Sequence, residues 1–228
     1  MSELSATRRD VYSCLSICFD YPTSIVGVDS VGPIVEALDA LSRLGAEEGV
    51  AGKGRLFSRL FNGKNQTSGN NLLDLQVEYS RLFLGPFKPV LYPYESIFLS
   101  RNHEEAADVQ RVDQLFRREG LGLSPQFKDL PDHISVDFEF MSYLCGKEIE
   151  ADDSQDAAAS LAYRLRQQSF LEHHIINWVP AFAAQLERVA QIKFYRELAN
   201  FTRRFVRWDH DRLEAFQSEG AEWQLCQQ

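Results

Sequence analysis

An all-helical fold follows from three features of the sequence. Apolar residues recur every three or four positions in one segment after another, and glycine or proline punctuates the ends of those segments. No run alternates apolar and polar residues for long enough to make a strand. The 228 residues, 44% of them hydrophobic, 25% charged and 12% aromatic with sixteen Phe, have the balance of a globular protein. A chain of that length buries roughly 70 to 75% of its unfolded surface. The expected architecture is a single helical body of eight to ten helices: N-terminal helices over 1–84, a proline-rich crossing segment over 85–99 and C-terminal helices over 104–210.

The elements follow in order. Val11, Leu15, Cys18 and Phe19 mark an amphipathic helix over 5–20, which Ser5 can cap and Pro22 stops. Cys14 and Cys18 share one face as small core hydrophobes, since no His or carboxylate accompanies them at ligand spacing. Ile34, Leu38 and Leu41 mark a second helix, and Leu56 with Leu60 a short third. The polar run over 62–71 breaks all periodicity and reads as a loop. Leu72, Leu75, Tyr79, Leu82 and Phe83 form one helical stripe that ends at Gly85-Pro86. Pro86, Pro89 and Pro93 then forbid regular structure until about Ser96. Val109, Val112 and Phe116 carry a helix over 104–119, closed by Gly120. Asp132 is placed to cap a helix with the face Ile134, Phe138, Met141 and Cys145. Ser154 can cap the next, which runs through Leu161 and Leu165. Pro180 opens a helix through Phe182, Leu186 and Val189, and Phe194, Leu198, Phe201 and Phe205 carry the last to Trp208.

No stretch approaches the roughly 18 apolar residues of a membrane span, and a net charge of -9 argues against a general binder of phosphate backbones. Four cysteines without a CxxC pair fit a reducing cytoplasm. Thr7-Arg8-Arg9 has the paired arginines of an export signal, but Asp10, Ser13, Ser16 and Asp20 leave no apolar region behind them. Lys53 and Lys64 lack the glycine and Ser/Thr context of a phosphate loop, and no GxSxG, HExxH or GxGxxG occurs. His173 and His174 are adjacent, so on a helix they point about 100° apart and read as a solvated helix end. The expectation is a protein without catalytic residues, metal or cofactor.

Two constellations remain. One is Tyr79-Ser80-Arg81-Leu82-Phe83-Leu84-Gly85-Pro86, running on to Tyr92-Pro93-Tyr94-Glu95-Ser96. The other is Pro131-Asp132-His133 followed by Asp137-Phe138-Glu139-Phe140-Met141. With the closing pattern from Trp178 and Pro180 to Phe205, they resemble the TorD/DmsD family of redox-enzyme maturation chaperones over about Leu75 to Trp208. Tyr92 stands where that family usually has the first of two prolines, Asp137 where Glu is usual and Phe138 where Leu is usual. The resemblance implies an all-helical cytoplasmic protein. It would bind the twin-arginine signal peptide of a molybdenum-cofactor oxidoreductase, or that enzyme's catalytic subunit, and hold it until cofactor insertion. The implied protein is a monomer or homodimer, with no nucleic acid and no stable membrane insertion.

The residues suit that task. Two guanidinium forks followed by an apolar stretch call for carboxylates beside an apolar groove. Nine acids against Lys147 alone over 129–156 concentrate -8 of the chain's -9 in one segment. A charge-assisted hydrogen bond contributes roughly 1.5 to 3 kcal/mol, whereas micromolar binding needs about 8, so apolar contact must supply the rest. The predicted peptide-binding set is Tyr79, Leu82, Phe83, Pro86, Pro93, Tyr94 and Glu95, with Pro131, Asp132 and His133. Core packing is the competing role for Leu82 and Phe83, and helix capping for Asp132. His133 gains nothing from a cap position on this reading and could change charge near neutral pH. The rival function is a small acid/base or metal-dependent enzyme using Asp132 and His133. A third is a chaperone that grips the mature enzyme or its cofactor.

Overall fold

The computed structural model of the chain describes residues 2–23, 36, 38–41, 50–52, 54, 72–85, 88–99, 105–122 and 130–225. The expected loop over 62–71, the third helix around Leu56 and Leu60, and Pro86 lie outside them. Eight α-helices are bounded: α1 (Ser2–Phe19), α2 (Leu72–Tyr79), α3 (Glu95–Leu99), α4 (Glu105–Arg118), α5 (Ile134–Asp153), α6 (Ala157–Phe170), α7 (Val179–Val189) and α8 (Lys193–Leu225). Residues 38–41 and 50–52 are also helical. Two π-helical turns, Ser80–Leu84 and Leu171–Ile175, continue α2 and α6. Among the described residues there is no strand beyond a single antiparallel bridge, Tyr94 to His133, and no helix is long and apolar enough to cross a membrane. The all-helical class is as expected.

The central element is α5. Its expected face, Ile134, Phe138, Met141 and Cys145, is wholly buried, and so are Val136, Phe140 and Leu144 on other sides. It is covered by α1 and α6, while α7 and α8 pack on each other as a second pair. From α1, Val11, Tyr12, Cys14, Leu15, Cys18 and Phe19 enter one buried cluster that extends to Leu213 of α8. Aromatic rings supply much of its filling. Phe182 meets Phe19 at 6.2 Å, Phe83 at 6.3 Å and Trp178 at 5.5 Å, and Tyr12 stands edge-on to Phe205 at 5.0 Å. Each such pair adds about 0.5–1.5 kcal/mol beyond area burial. Cys14 and Cys18 are buried as expected, with sulfurs 4.0 Å apart. Burial pushes the Cys145 thiol up to about 12, which leaves it protonated and unreactive.

Several helix ends differ from the expected ones. Ser5 lies inside α1 and donates to Glu148 Oε1 at 2.9 Å instead of capping. Asp156, not Ser154, caps α6, accepting from the Ala159 N–H at 2.9 Å; Ser154 ends α5. Leu161 and Leu165 of α6 point to solvent, and its buried residues are Ser160, Gln167 and Phe170. The last helix continues past Trp208 to Leu225.

A polar knot ties four helices together. Arg8 of α1 is buried and forks onto both oxygens of Asp209 in α8, with Nη2 to Oδ2 at 3.0 Å, and Nη1 donates to Gln167 Oε1 of α6 at 2.7 Å. Tyr12 Oη donates to Asp209 Oδ2 at 2.7 Å, and Gln167 Nε2 to Glu148 Oε2 of α5 at 2.9 Å. Burial opposes the charge on Arg8, but Asp209 outweighs it and holds the guanidinium ionised.

Candidate functional site

The two sequence constellations meet. The stripe of α2 runs into the π turn 80–84, which Gly85 ends with φ 58 and ψ 152 and an N–H donated to Ser80 O at 2.6 Å. The crossing segment folds back at once: Val90 and Leu91 both donate to Leu82 O at 2.9 Å. Arg81 grips Glu78 through two 2.7 Å bonds and donates to Val189 O at 2.8 Å, fastening this end to α7. Burial pushes the Glu78 carboxyl up, but hydrogen bonds from Arg81 and the Gln191 N–H outweigh it and hold the group below its ordinary value.

Farther on, the crossing segment pairs with the Pro131-Asp132-His133 turn. Ile134 donates to Pro93 O at 2.9 Å, Glu95 donates to Asp132 O at 3.1 Å, and the Tyr94 and His133 rings meet edge to face at 5.2 Å. We call this pairing the clamp. The expected capping roles are exchanged within it. His133, not Asp132, is the N-cap of α5: its Nδ1 accepts from the Ser135 N–H at 3.2 Å and lies 2.7 Å from Ser135 Oγ. So His133 does gain a structural role. Asp132 turns across the clamp and accepts from the Ser96 N–H at 2.9 Å, capping α3 from another part of the chain. That cap lets α3 begin at Glu95, one residue before the irregular stretch was expected to end.

Beneath the clamp lie three carboxyls, Glu95, Asp132 and Asp137, all buried. Glu95 Oε2 is 3.0 Å from His174 Nδ1. His174 is therefore half-buried against the site instead of solvated, while His173 is exposed as expected. Asp132 Oδ1 and both oxygens of Asp137 have no hydrogen-bond partner among the described residues. Burial, then the charges of Glu95 and Asp132, pushes the Asp137 carboxyl well above the ordinary carboxylate range. A proton held more tightly in the folded chain favours folding below an unfolded pKa of about 4, and that contribution is lost as pH rises through the folded value. Relative to Asp137→Asn, the unmodified chain is expected to lose stability above about pH 4 by up to roughly 1.4 kcal/mol per pH unit. Urea unfolding of both proteins between pH 4 and 8 checks this, and parallel pH profiles would contradict it.

The expected contact surface on α2 needs correcting. Tyr79 is 3% exposed, Leu82 0% and Phe83 5%. Tyr79 stacks edge-on to Tyr21 at 5.4 Å and to Phe83 at 4.9 Å, so these three side chains form the packed underside of the crossing segment. Pro93 is buried as well, whereas Tyr94 and Pro131 are half-buried and reach the surface. The acidic run is also less open than its composition implied. Glu148 is held by Arg164 and Arg8, Asp152 by Arg164 at 3.4 Å and Glu150 by Lys147 at 2.6 Å, while Asp129 lies outside the described residues. Glu139, Asp153 and Asp156 remain exposed. Asp132 and His133, the pair of the rival enzyme reading, are both buried, and each caps a helix, His133 α5 and Asp132 α3.

Sequence reasoning missed Asp137 as an unpartnered acid and His174 as a partner of Glu95. It also read Arg8 only as part of an export-like pair. Spacing gave no clue to the first, since Asp132 lies before the cap of α5 and Asp137 within its first turns, five positions on, a separation that helical periodicity does not bring to one face.

Comparison with known proteins adds four findings. The sequence profile of the family described as nitrate reductase delta subunit matches residues 37–184. A TorD chaperone protein from Shewanella pealeana is 27% identical over 152 residues, 63% of this chain and 62% of that one, so the match spans less than two thirds of the relative. A perchlorate reductase assembly chaperone protein from Dechloromonas aromatica is 26% identical over 210 residues, 89% of this chain and 88% of that one. A solved structure from Archaeoglobus fulgidus, of a protein assigned to redox enzyme maturation, superimposes with a TM-score of 0.52 at 22% identity. It covers 87% of this chain and 93% of that one, a likeness of fold alone.

Proposed function

This chain belongs to the nitrate reductase delta subunit family, and on that premise we propose that it matures a molybdenum-cofactor oxidoreductase by gripping the twin-arginine leader of the client's catalytic subunit. It is a TorD-type chaperone and not an enzyme; the TorD protein of Shewanella pealeana and the Dechloromonas aromatica assembly protein both carry chaperone names. The client stays in the cytoplasm until its cofactor is in place.

One observation carries the choice of site. Glu148 and Asp209 already hold arginines, whereas Asp132 Oδ1 and the Asp137 carboxyl have no hydrogen-bond partner among the described residues. A leader guanidinium entering between Tyr94 and Pro131 supplies the missing donors. Leu130, 44% exposed, and Val90, 45% exposed, adjoin the clamp in sequence and offer apolar surface to the residues after the arginines. Tyr79, Leu82, Phe83 and Pro93 act from beneath by fixing the segment that carries Tyr94 and Glu95.

Titration calorimetry of the full chain with a synthetic twin-arginine leader tests the assignment. Asp132→Asn keeps an oxygen for the Ser96 N–H but removes the charge. Its stability should fall by less than about 1 kcal/mol, and its leader affinity by roughly 10- to 150-fold, the equivalent of about 1.5–3 kcal/mol. Unchanged affinity in Asp132→Asn would remove Asp132 from the site. A cation brought beside Asp137 also lowers its pKa, so binding by the unmodified chain should release a proton, seen as heat that varies with the buffer's ionisation enthalpy.

A further inference from the structure

We propose that a cavity between α4, α5 and α6 binds a compact aromatic anion, a flat ring system carrying a phosphate or carboxylate. Its volume of about 450 Å³ falls within the roughly 300–1,000 Å³ of small-molecule sites. The floor is aromatic. Phe140 and Phe170 meet at 4.8 Å and 70°, and the His174 ring lies over Phe170 at 5.0 Å and 28°, extending a flat face into the hollow. The rim is cationic. Arg118 and Arg166 line it with His173, against Glu119 as the one acid among the described lining residues, and Arg166 already engages that acid at 2.7 Å.

A local surplus of positive charge in a chain of net charge -9 selects for an anion. Inorganic phosphate alone would leave the rings uncovered, and a neutral aromatic would leave Arg118 without a counter-charge among the described lining residues, since Glu119 is engaged by Arg166. Size excludes a helical segment of a partner. A helix with its side chains is roughly 10 Å across, so about 450 Å³ would hold about one turn. The cavity is distinct from the clamp, though His174 belongs to both through its contact with Glu95. The proposal does not rest on leader binding.

Calorimetry of the full chain with 1-naphthyl phosphate as probe, and with 1-naphthol and inorganic phosphate as comparators, tests it. The expected result is saturable one-to-one binding of the probe, at least tenfold tighter than of either comparator. Arg118→Gln, on an exposed side chain, should weaken the probe at least tenfold without moving the melting temperature. Ser169→Phe, which fills the hollow and leaves both arginines in place, should abolish binding. Absence of saturable probe binding, or binding that survives both substitutions, overturns the proposal.

Discussion

Replacing Arg8 with methionine is expected to lower unfolding stability by roughly 3–5 kcal/mol, the cost of breaking a buried ion pair from one side. Methionine fills much of the space but leaves Asp209 buried beside Tyr12, and it takes the Arg8 donor from Gln167 Oε1, while Glu148 keeps its bonds from Ser5, Gln167 and Arg164. For a chain of this size about 1 kcal/mol corresponds to roughly 2–4 °C, so the melting temperature should fall by roughly 6–20 °C. Arg8→Lys should recover only part of the loss, because an ammonium cannot make the two-pronged contact with Asp209. Replacing Arg8 and Asp209 together by apolar residues should cost less than Arg8→Met alone, since no unpaired charge then stays behind. Thermal unfolding of the three variants measures this, and a melting temperature of Arg8→Met within 2 °C of the unmodified chain would show the knot to be dispensable.

Gly85→Ala is the second large effect. At φ 58 and ψ 152 the backbone sits where few residues other than glycine are found. A Cβ there would also meet the Lys88 carbonyl oxygen, with the Lys88 carbon at 2.6 Å and Pro89 N at 2.8 Å. These are backbone atoms and cannot swing away, so the crossing segment itself must shift. The expected destabilisation is roughly 2–4 kcal/mol. The same shift strains the bonds from Val90 and Leu91 to Leu82 O and moves the strip that ends in Tyr94. Leader affinity should therefore fall in Gly85→Ala although the residue is remote from Asp132. A variant that melts normally and binds normally would mean that the segment is not built around this turn.

The helices were legible in the sequence because burial of one face imposes its period on the residues, as in the stripe from Leu72 to Phe83 and the face from Ile134 to Cys145. The ends were less legible, and the reasons are local. Gln155, at φ 59, interrupts the chain between Ser154 and Asp156 and hands the start of α6 to the later of two good capping residues. At α5 the bridge to Tyr94 holds His133 extended, at φ -70 and ψ 138, so the histidine occupies the cap and Asp132 is turned away. Two neighbouring residues could both have capped, and a contact from residue 94 chose between them. Proximity of the two constellations was anticipated through resemblance. The burial of Tyr79, the partners of Arg8 some 140 to 200 positions away and the exposure of Leu161 depend on tertiary neighbours that no local pattern encodes.

The clamp joins positions 93–96 to 132–134 by main-chain bonds, and Phe98 anchors the outgoing side against Trp178 and Phe182. Covalent continuity through Gly120 is thus unnecessary for the shape of that corner. A protease that nicked the backbone there would leave two pieces that stay joined by buried side chains and inter-segment bonds, with the acids still beneath Tyr94 and His133.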